Sequence, residues 1–156
     1  MEIGIKSRAE IEEYVPRTKT AIISITDVGY NFAELKRQPN YLLQLAFDDV
    51  DSDVFVDELG RTPTEEERAI IENKYHMMTD EQTQQIVDFY NQILGKVDVL
   101  ICQCEHGQSR SAAIAAAIME YSHGNGIEIF ADDRYYPNKT IFKKVLKTMK
   151  ERNKEL

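Results

Sequence analysis

A cysteine and an arginine stand with five residues between them in the segment CEHGQSRS, which runs from Cys104 to Ser111. Gly107 lies between them. A cysteine thiolate is a strong nucleophile, and the planar fork of an arginine can bind two oxygens of one phosphate group. This spacing therefore indicates attack on phosphorus, with Cys104 as the nucleophile and Arg110 as a ligand of the phosphate.

The sequence on either side of this motif predicts a strand, a tight loop and a helix. Residues 97–102 form an apolar run rich in valine, which is typical of a buried central strand. An alanine-rich run over 112–120 favours a helix that ends near Gly124. Backbone N–H groups at a helix N-terminus bind anions, and the helix dipole adds partial positive charge there. We therefore expect residues 104–111 to form an oxyanion cradle that favours a thiolate.

The cradle segment resembles the C-x-x-G-x-x-R-S loop of the cysteine-dependent protein tyrosine phosphatases, and it matches that loop throughout. The short chain, without an insert that would deepen the pocket, is most similar to the small dual-specificity members. The resemblance implies hydrolysis of phosphotyrosine, and also of phosphoserine and phosphothreonine in a shallow site, through a phosphocysteine intermediate. It implies catalytic roles for Cys104, Arg110 and Ser111, whose hydroxyl donates to the sulfur. It implies that the phosphate is bound by Glu105, His106, Gly107, Gln108, Ser109 and Arg110.

The same resemblance implies a general acid, an aspartate on a loop that follows a central strand ahead of the cysteine. The apolar run 41–47 predicts such a strand, and Asp48 and Asp49 follow it directly. In the small dual-specificity members one residue separates the strand from the acid, which places the acid at Asp49, with Asp48 as the alternative. Asp51 and Asp53 are typical of turn residues that bind nearby backbone.

Two residues beside the nucleophile depart from the family pattern. Gln103 stands where the family usually has a histidine that helps to set the environment of the cysteine. Glu105 places a negative charge next to the sulfur, so we expect its side chain and that of His106 to point outward. Cys102 is predicted to be a buried strand residue, with a redox partner of the nucleophile as the alternative.

Strands and helices alternate along residues 1–156, which predicts a single domain of the α/β class. We expect a mixed, mostly parallel central sheet of four to five strands, flanked by helices on both faces. The run 41–47 is apolar almost throughout and is predicted to be a central strand. Helices are predicted to begin at Ser7 and Asn138, and a further helix is predicted over 63–75 with Thr62 as its N-cap. We also expect a helical turn within 31–37, a turn at Asp27 and an extended segment over 127–130.

The net charge of −8 bears on the partners of the chain. Nucleic acids bind basic surfaces, so we expect no nucleic-acid partner, and a phosphorylated protein or peptide is the expected substrate. The sequence has no apolar run that could cross a membrane and no signal-peptide core, so it predicts a cytoplasmic protein without a membrane partner. We also expect a monomer. His76 and His123 have no neighbours at metal-ligand spacing, so we predict no metal and no cofactor.

Two other functions remain open from the sequence. The same loop would also serve a catalytically inactive module that binds a phosphate or a phosphoprotein. A phosphatase acting on a phosphoinositide or an RNA 5′-phosphate would use the same chemistry, but it needs a basic pocket. Glu105 and the overall charge do not supply such a pocket.

Overall fold

A computed structural model describes residues 1–154 of the chain, with side chains described through residue 152. Its sheet consists of β1 (Glu2–Lys6), β2 (Thr20–Thr26), β3 (Tyr41–Ala46) and β4 (Val99–Gln103). The strands lie in the order β1-β4-β2-β3, and all neighbouring pairs are parallel. The predicted α/β class is confirmed, and within the described residues the sheet is parallel throughout.

Seven helices connect and cover these strands in the described part of the chain. They are α1 (Arg8–Glu13), α2 (Asp53–Leu59), α3 (Glu65–Lys74), α4 (Asp80–Ile93), α5 (Arg110–His123), α6 (Ile127–Ala131) and α7 (Lys139–Lys154). Reciprocal capping boxes begin α1, α3 and α4 at Ser7, Thr64 and Thr79. These boxes satisfy backbone N–H groups that have no partner within a helix. None of the helices in this part of the chain is long and apolar enough to cross a membrane.

The main core lies between the sheet and the layer formed by α4, α5 and α7. Alternate side chains of a strand point to opposite faces, and Ile23 of β2 and Cys102 of β4 belong to this core. Its centre is α5, whose residues 112–118 are all fully buried. The alanines of this helix are small, so the helix lies close to the sheet. This packing fixes the N-terminus of α5 at the end of β4.

The opposite face of the sheet is covered by α1. Ile22 of β2 and Ile101 of β4 pack there against Ile11, which is completely buried. Helices therefore flank both faces, as predicted. Two residues after Cys102, Cys104 continues the face toward α5, whereas Gln103 falls on the face toward α1.

Two predictions about strands are wrong. β3 is an edge strand rather than a central one. It is apolar because side chains on both of its faces are packed: Leu43 against the main core and Leu42 against the core on the α1 side. Residues 127–131 form the helix α6 instead of an extended segment. Gly126 begins this helix so close to α5 that an added Cβ would lie 2.5 Å from the carbonyl oxygen of Ala116.

Two helix predictions also need correction. Residues 31–37 form no helical turn, because side chains of α1 bind their backbone: Glu12 accepts from the N–H of Glu34. The helix predicted over 63–75 begins at Glu65, and its N-cap is Thr64 rather than Thr62. The T-x-x-E pattern occurs twice in this segment, at Thr62–Glu65 and at Thr64–Glu67, and the second copy forms the capping box.

A separate small core links α2 and α3. Phe55, Ile71 and Met77 are its buried members, and α2 and α3 pack mainly on each other rather than on the sheet. This unit follows the loop after β3, which carries Asp48 and Asp49.

Candidate active site

The carboxyl ends of β2, β3 and β4 meet at one edge of the sheet, where parallel α/β folds bind ligands. Each of these strands is followed by a residue of the candidate site. The Oγ of Ser109 donates a hydrogen bond to Asp49 at 2.9 Å. Nη1 of Arg110 donates to Asp27 at 2.7 Å. The structure thus brings the predicted motif and the predicted acid together, and it adds Asp27 to them.

The candidate nucleophile Cys104 lies at the base of this edge, with only 2% of its surface exposed. Its Sγ is 3.0 Å from the Oγ of Ser111 and 3.5 Å from the backbone nitrogen of the same residue. When the sulfur is deprotonated it can only accept, so the hydroxyl donates to it. This contact is the one that the family resemblance implies for Ser111.

The loop between β4 and α5 leaves its backbone N–H groups unused, while several of its carbonyl groups bind neighbouring segments. In the described part of the chain, no backbone N–H group of residues 105–109 donates to another carbonyl of the protein. These groups lie at the N-terminus of α5, so they remain free to bind an anion. Three carbonyl groups of the loop, those of Glu105, Gln108 and Ser109, accept from the backbone N–H groups of Arg8, Tyr136 and Asn138.

Gly107 packs closely against the end of β1. Its φ of +67° is in the left-handed region, and an added Cβ would lie 2.7 Å from the nitrogen of Ser7 and 2.8 Å from the carbonyl carbon of Lys6. We expect Gly107→Ala to lower the free energy of unfolding by about 2–4 kcal/mol, because strain and a backbone clash add. Denaturant unfolding measures this loss.

Gly124 provides the matched control for that substitution. Its φ of +71° is similar, but an added Cβ would meet nothing within 4 Å. Gly124→Ala should therefore cost only the backbone strain, about 1 kcal/mol. Equal losses for the two variants would contradict the close packing of Gly107 on β1.

Arg110 is buried beside the cradle, with 5% of its side chain exposed. Its Nη1 donates to Asp27 and to the carbonyl oxygen of Phe47, both at 2.7 Å. Its Nε is buried and has no hydrogen-bond partner within the described residues. A buried charged donor without an acceptor is costly, and an oxyanion at the cradle would supply the acceptor. The guanidinium is thus held through Nη1, while its Nε is left without a partner.

Glu105 does not place its charge in the cradle. Its carboxylate accepts from Nε of Arg8 at 2.7 Å, and Arg8 also donates to Thr26 and to the carbonyl oxygen of Asn31. The ion pair draws the carboxylate toward α1, in the outward orientation that the sequence predicts. The side chain of His106 is exposed as well.

Asp49 and Asp48 point to different parts of the structure. Oδ1 of Asp49 accepts from Ser109 and, at 3.0 Å, from Nδ2 of Asn138. Asp48 accepts from the backbone N–H of Val28 at 3.0 Å and lies 3.5 Å from Nδ1 of His76. Asp49 therefore contacts the cradle directly, and Asp48 binds the loop after β2.

Asn138 has two roles, of which the sequence predicts one. Its Oδ1 accepts from the N–H of Ile141, so it caps α7 as predicted. Its amide also donates to Asp49 and to the carbonyl oxygen of Val50. A single side chain thus ties the candidate acid to the start of α7, a long-range contact that no local pattern encodes.

Two further aspartates in these loops do more than the predicted turns require. Asp27 binds the guanidinium of Arg110; its position directly after β2 was the signal that could have identified it. Asp51 accepts from the backbone of Ser52 and from the hydroxyl of Thr140 on α7. Asp53 begins α2 instead of lying in a turn.

Cys102 is completely buried in the main core, as predicted. Burial raises the pKa of its thiol to about 12, and the nearby Cys104 adds to this effect. The Cys102 thiol therefore stays protonated near neutral pH. Among the described residues no group of three or more histidine, cysteine, aspartate or glutamate side chains could hold a metal ion; the absence of a metal or cofactor stays a prediction.

The parallel sheet, the strand-loop-helix cradle and the layers of helices are the fold of the cysteine-based protein tyrosine and dual-specificity phosphatases. The predicted resemblance is confirmed at the level of the fold. The sequence itself matches no protein-family model and no curated protein.

Three solved structures illustrate this similarity. Tk-PTP in its active form is 15% identical with a TM-score of 0.56, over 97% of this chain and 93% of that one. Human DUSP28 is 10% identical with a TM-score of 0.54, over 99% and 95% of the two chains. PTPMT1 in complex with PI(5)P is 14% identical with a TM-score of 0.51, over 99% and 94%.

Proposed function

We propose that the chain is a cysteine-dependent phosphatase that hydrolyses phosphotyrosine in a protein or peptide. The observation that carries this proposal is the buried Arg110 at the start of α5, whose Nε has no partner and whose neighbour Ser111 contacts the sulfur of Cys104. A guanidinium with an unpartnered donor, free backbone N–H groups and a sulfur in one short segment suit a phosphate group.

In the first proposed step the thiolate of Cys104 attacks phosphorus. The S–P bond forms as the bond from phosphorus to the tyrosine oxygen breaks. Asp49 donates its proton to the departing oxygen, so that tyrosine leaves as a neutral phenol. The guanidinium of Arg110 and the N–H groups of the loop stabilise the negative charge on the three equatorial oxygens.

In the second proposed step water attacks the phosphocysteine. Asp49, now a carboxylate, accepts a proton from this water, and the S–P bond breaks to release inorganic phosphate. The leaving group is the sulfur of Cys104, and Ser111 at 3.0 Å donates to it as its charge returns. The enzyme is thereby restored to its starting state.

The charges around the cradle favour a phosphopeptide over a lipid headgroup or an RNA 5′ end. The side chains of Asp27 and Glu105 are each 41% exposed. Arg8, the cation beside Glu105, is already bound to three acceptors. A substrate with several phosphates would meet this negative potential with little compensation.

Two exposed aromatic residues support an aryl phosphate in particular. Tyr30 is 71% exposed and Tyr136 is 72% exposed. The backbone N–H of Tyr30 binds the carbonyl oxygen of Asp27, and that of Tyr136 binds the carbonyl oxygen of Gln108. The backbones of both residues are thus tied to residues of the candidate site, and we expect a substrate ring to pack on theirs.

The test is hydrolysis of 4-nitrophenyl phosphate and of a tyrosine phosphopeptide in the presence of EDTA. We expect turnover of both substrates without added metal. In a separate assay without EDTA, which would chelate vanadate, we expect competitive inhibition by vanadate, which imitates the transferred phosphoryl group. Matched phosphoserine and phosphothreonine peptides measure dual specificity, and a monophosphorylated phosphoinositide is assayed in parallel.

Failure of the folded protein to hydrolyse any aryl phosphate would contradict the proposal, and binding without turnover would indicate an inactive phosphate-binding module. Faster hydrolysis of the phosphoinositide than of the peptide would instead assign a lipid substrate.

A further inference from the structure

Gln103 precedes the candidate nucleophile, and its side chain is completely buried although no proposed step uses it. Its Nε2 donates to the carbonyl oxygen of Cys104 at 3.0 Å. Its Oε1 accepts from the Oγ of Ser24, which is 1% exposed. Ser24 is also the partner of Gln103 in the register of β2 and β4. The amide thus connects the central strand to the first carbonyl group of the cradle.

The position of this amide determines the direction of the peptide group between Cys104 and Glu105. Gln103 lies on the α1 face of the sheet, and Cys104 lies on the α5 face. In a planar trans peptide the C=O and N–H bonds point in opposite directions. Holding the C=O of Cys104 toward Gln103 therefore directs the N–H of Glu105 to the other side, where the cradle binds its anion.

We propose that Gln103 is a positioning residue that fixes the first N–H group of the cradle; this inference rests on the proposed function of the loop. Ser24 fixes the amide of Gln103 in turn, so the unit is Ser24, Gln103 and the Cys104 carbonyl. A carboxamide does not ionise. The direction of the first cradle N–H is therefore independent of pH across the working range of the enzyme.

Gln103→Leu tests this role, because leucine fills a similar volume but cannot donate to the carbonyl. We expect vanadate binding to weaken about 10-fold and kcat/KM on 4-nitrophenyl phosphate to fall by roughly 10- to 100-fold, as for lost supporting hydrogen bonds at other sites. The pH of half-maximal alkylation of Cys104 by iodoacetate should rise by about one unit. The reason is that the N–H of Glu105 is then no longer held toward the cradle, where it would stabilise the thiolate.

Gln103→His is the rescue variant, because an imidazole N–H can donate to the same carbonyl. We expect it to recover most of the vanadate affinity. Its alkylation profile should gain a second inflection near pH 6–7, where histidine ionises. Failure of histidine to recover any affinity would contradict a role for the donated hydrogen bond.

Ile101→Val is the matched control, because Ile101 lies on the same face of β4 and is buried. This variant should lose stability but keep the wild-type alkylation profile and vanadate affinity. Wild-type behaviour of Gln103→Leu in both measurements would overturn the proposal. If that variant does not fold, Ser24→Ala removes the other end of the unit and should shift alkylation in the same direction by a smaller amount.

Alkylation does not depend on turnover, so it separates this inference from the proposed function. A wild-type protein without hydrolytic activity, but with the expected shift in Gln103→Leu, would contradict the phosphatase and support the positioning role. An active wild-type protein with no shift in the variant would support the phosphatase and contradict the positioning role.

Discussion

Cys104→Ser is expected to lower kcat for phosphotyrosine hydrolysis by at least about 10³-fold, because a serine hydroxyl at this position lacks a base to activate it. Steady-state assay with a tyrosine phosphopeptide measures the loss. Binding of the same phosphopeptide should persist, because Arg110 and the cradle N–H groups are unchanged. Calorimetry on the variant measures that binding.

Cys102→Ala is the matched control for the nucleophile. Cys102 is completely buried, and burial holds the pKa of its thiol near 12, so it cannot supply a thiolate at neutral pH. The control should lose some stability through the cavity and retain kcat. Full activity in Cys104→Ser, or loss of activity in the folded Cys102→Ala variant, would refute the assignment of the nucleophile.

Asp49→Asn is expected to lower kcat on phosphotyrosine by about 10²- to 10⁴-fold, the usual contribution of a general acid. Asparagine can still accept the hydrogen bonds of Ser109 and Asn138, so the loop keeps its place. The loss should be smaller on 4-nitrophenyl phosphate, because 4-nitrophenol is a better leaving group than tyrosine and needs less protonation. The ratio of the two losses measures proton transfer separately from binding.

Asp48→Asn tests the alternative acid, because it too replaces a carboxyl group by an amide that cannot donate a proton in the same way. Asp48 binds the N–H of Val28 and lies near His76, away from the cradle. Its asparagine variant should therefore keep kcat within a few-fold of wild type. A large loss in Asp48→Asn that depends on the leaving group would move the general acid by one residue.

The local parts of the site could be predicted from sequence because neighbouring residues form them. The order of strand, glycine-containing loop and helix places Cys104 and Arg110 together whatever the rest of the chain does. The capping boxes and the cap at Asn138 are local in the same sense. The position of β3 at the sheet edge was missed, because strand order depends on contacts between distant segments.

The contacts that complete the site are also long-range. Asp27 is 83 positions from Arg110 in sequence, and the structure joins them through the shared carboxyl edge of the sheet. The pairing of Glu105 with Arg8 spans 97 positions. Charge counts alone cannot assign such partners, because several acidic residues follow the strands.

The small core of Phe55, Ile71 and Met77 has a consequence for how well the candidate site survives local opening of the structure. A unit that packs mainly on itself can open at a lower free energy than the sheet, and this one begins four residues after Asp49. The contacts of Asp49 with Ser109 and Asn138, and of Asp51 with Thr140, would hold the proposed general acid at the cradle during such an opening. Opening of α2 and α3 alone is therefore expected to leave the proposed acid beside the cradle, so release of phosphate would not wait for the unit to close again.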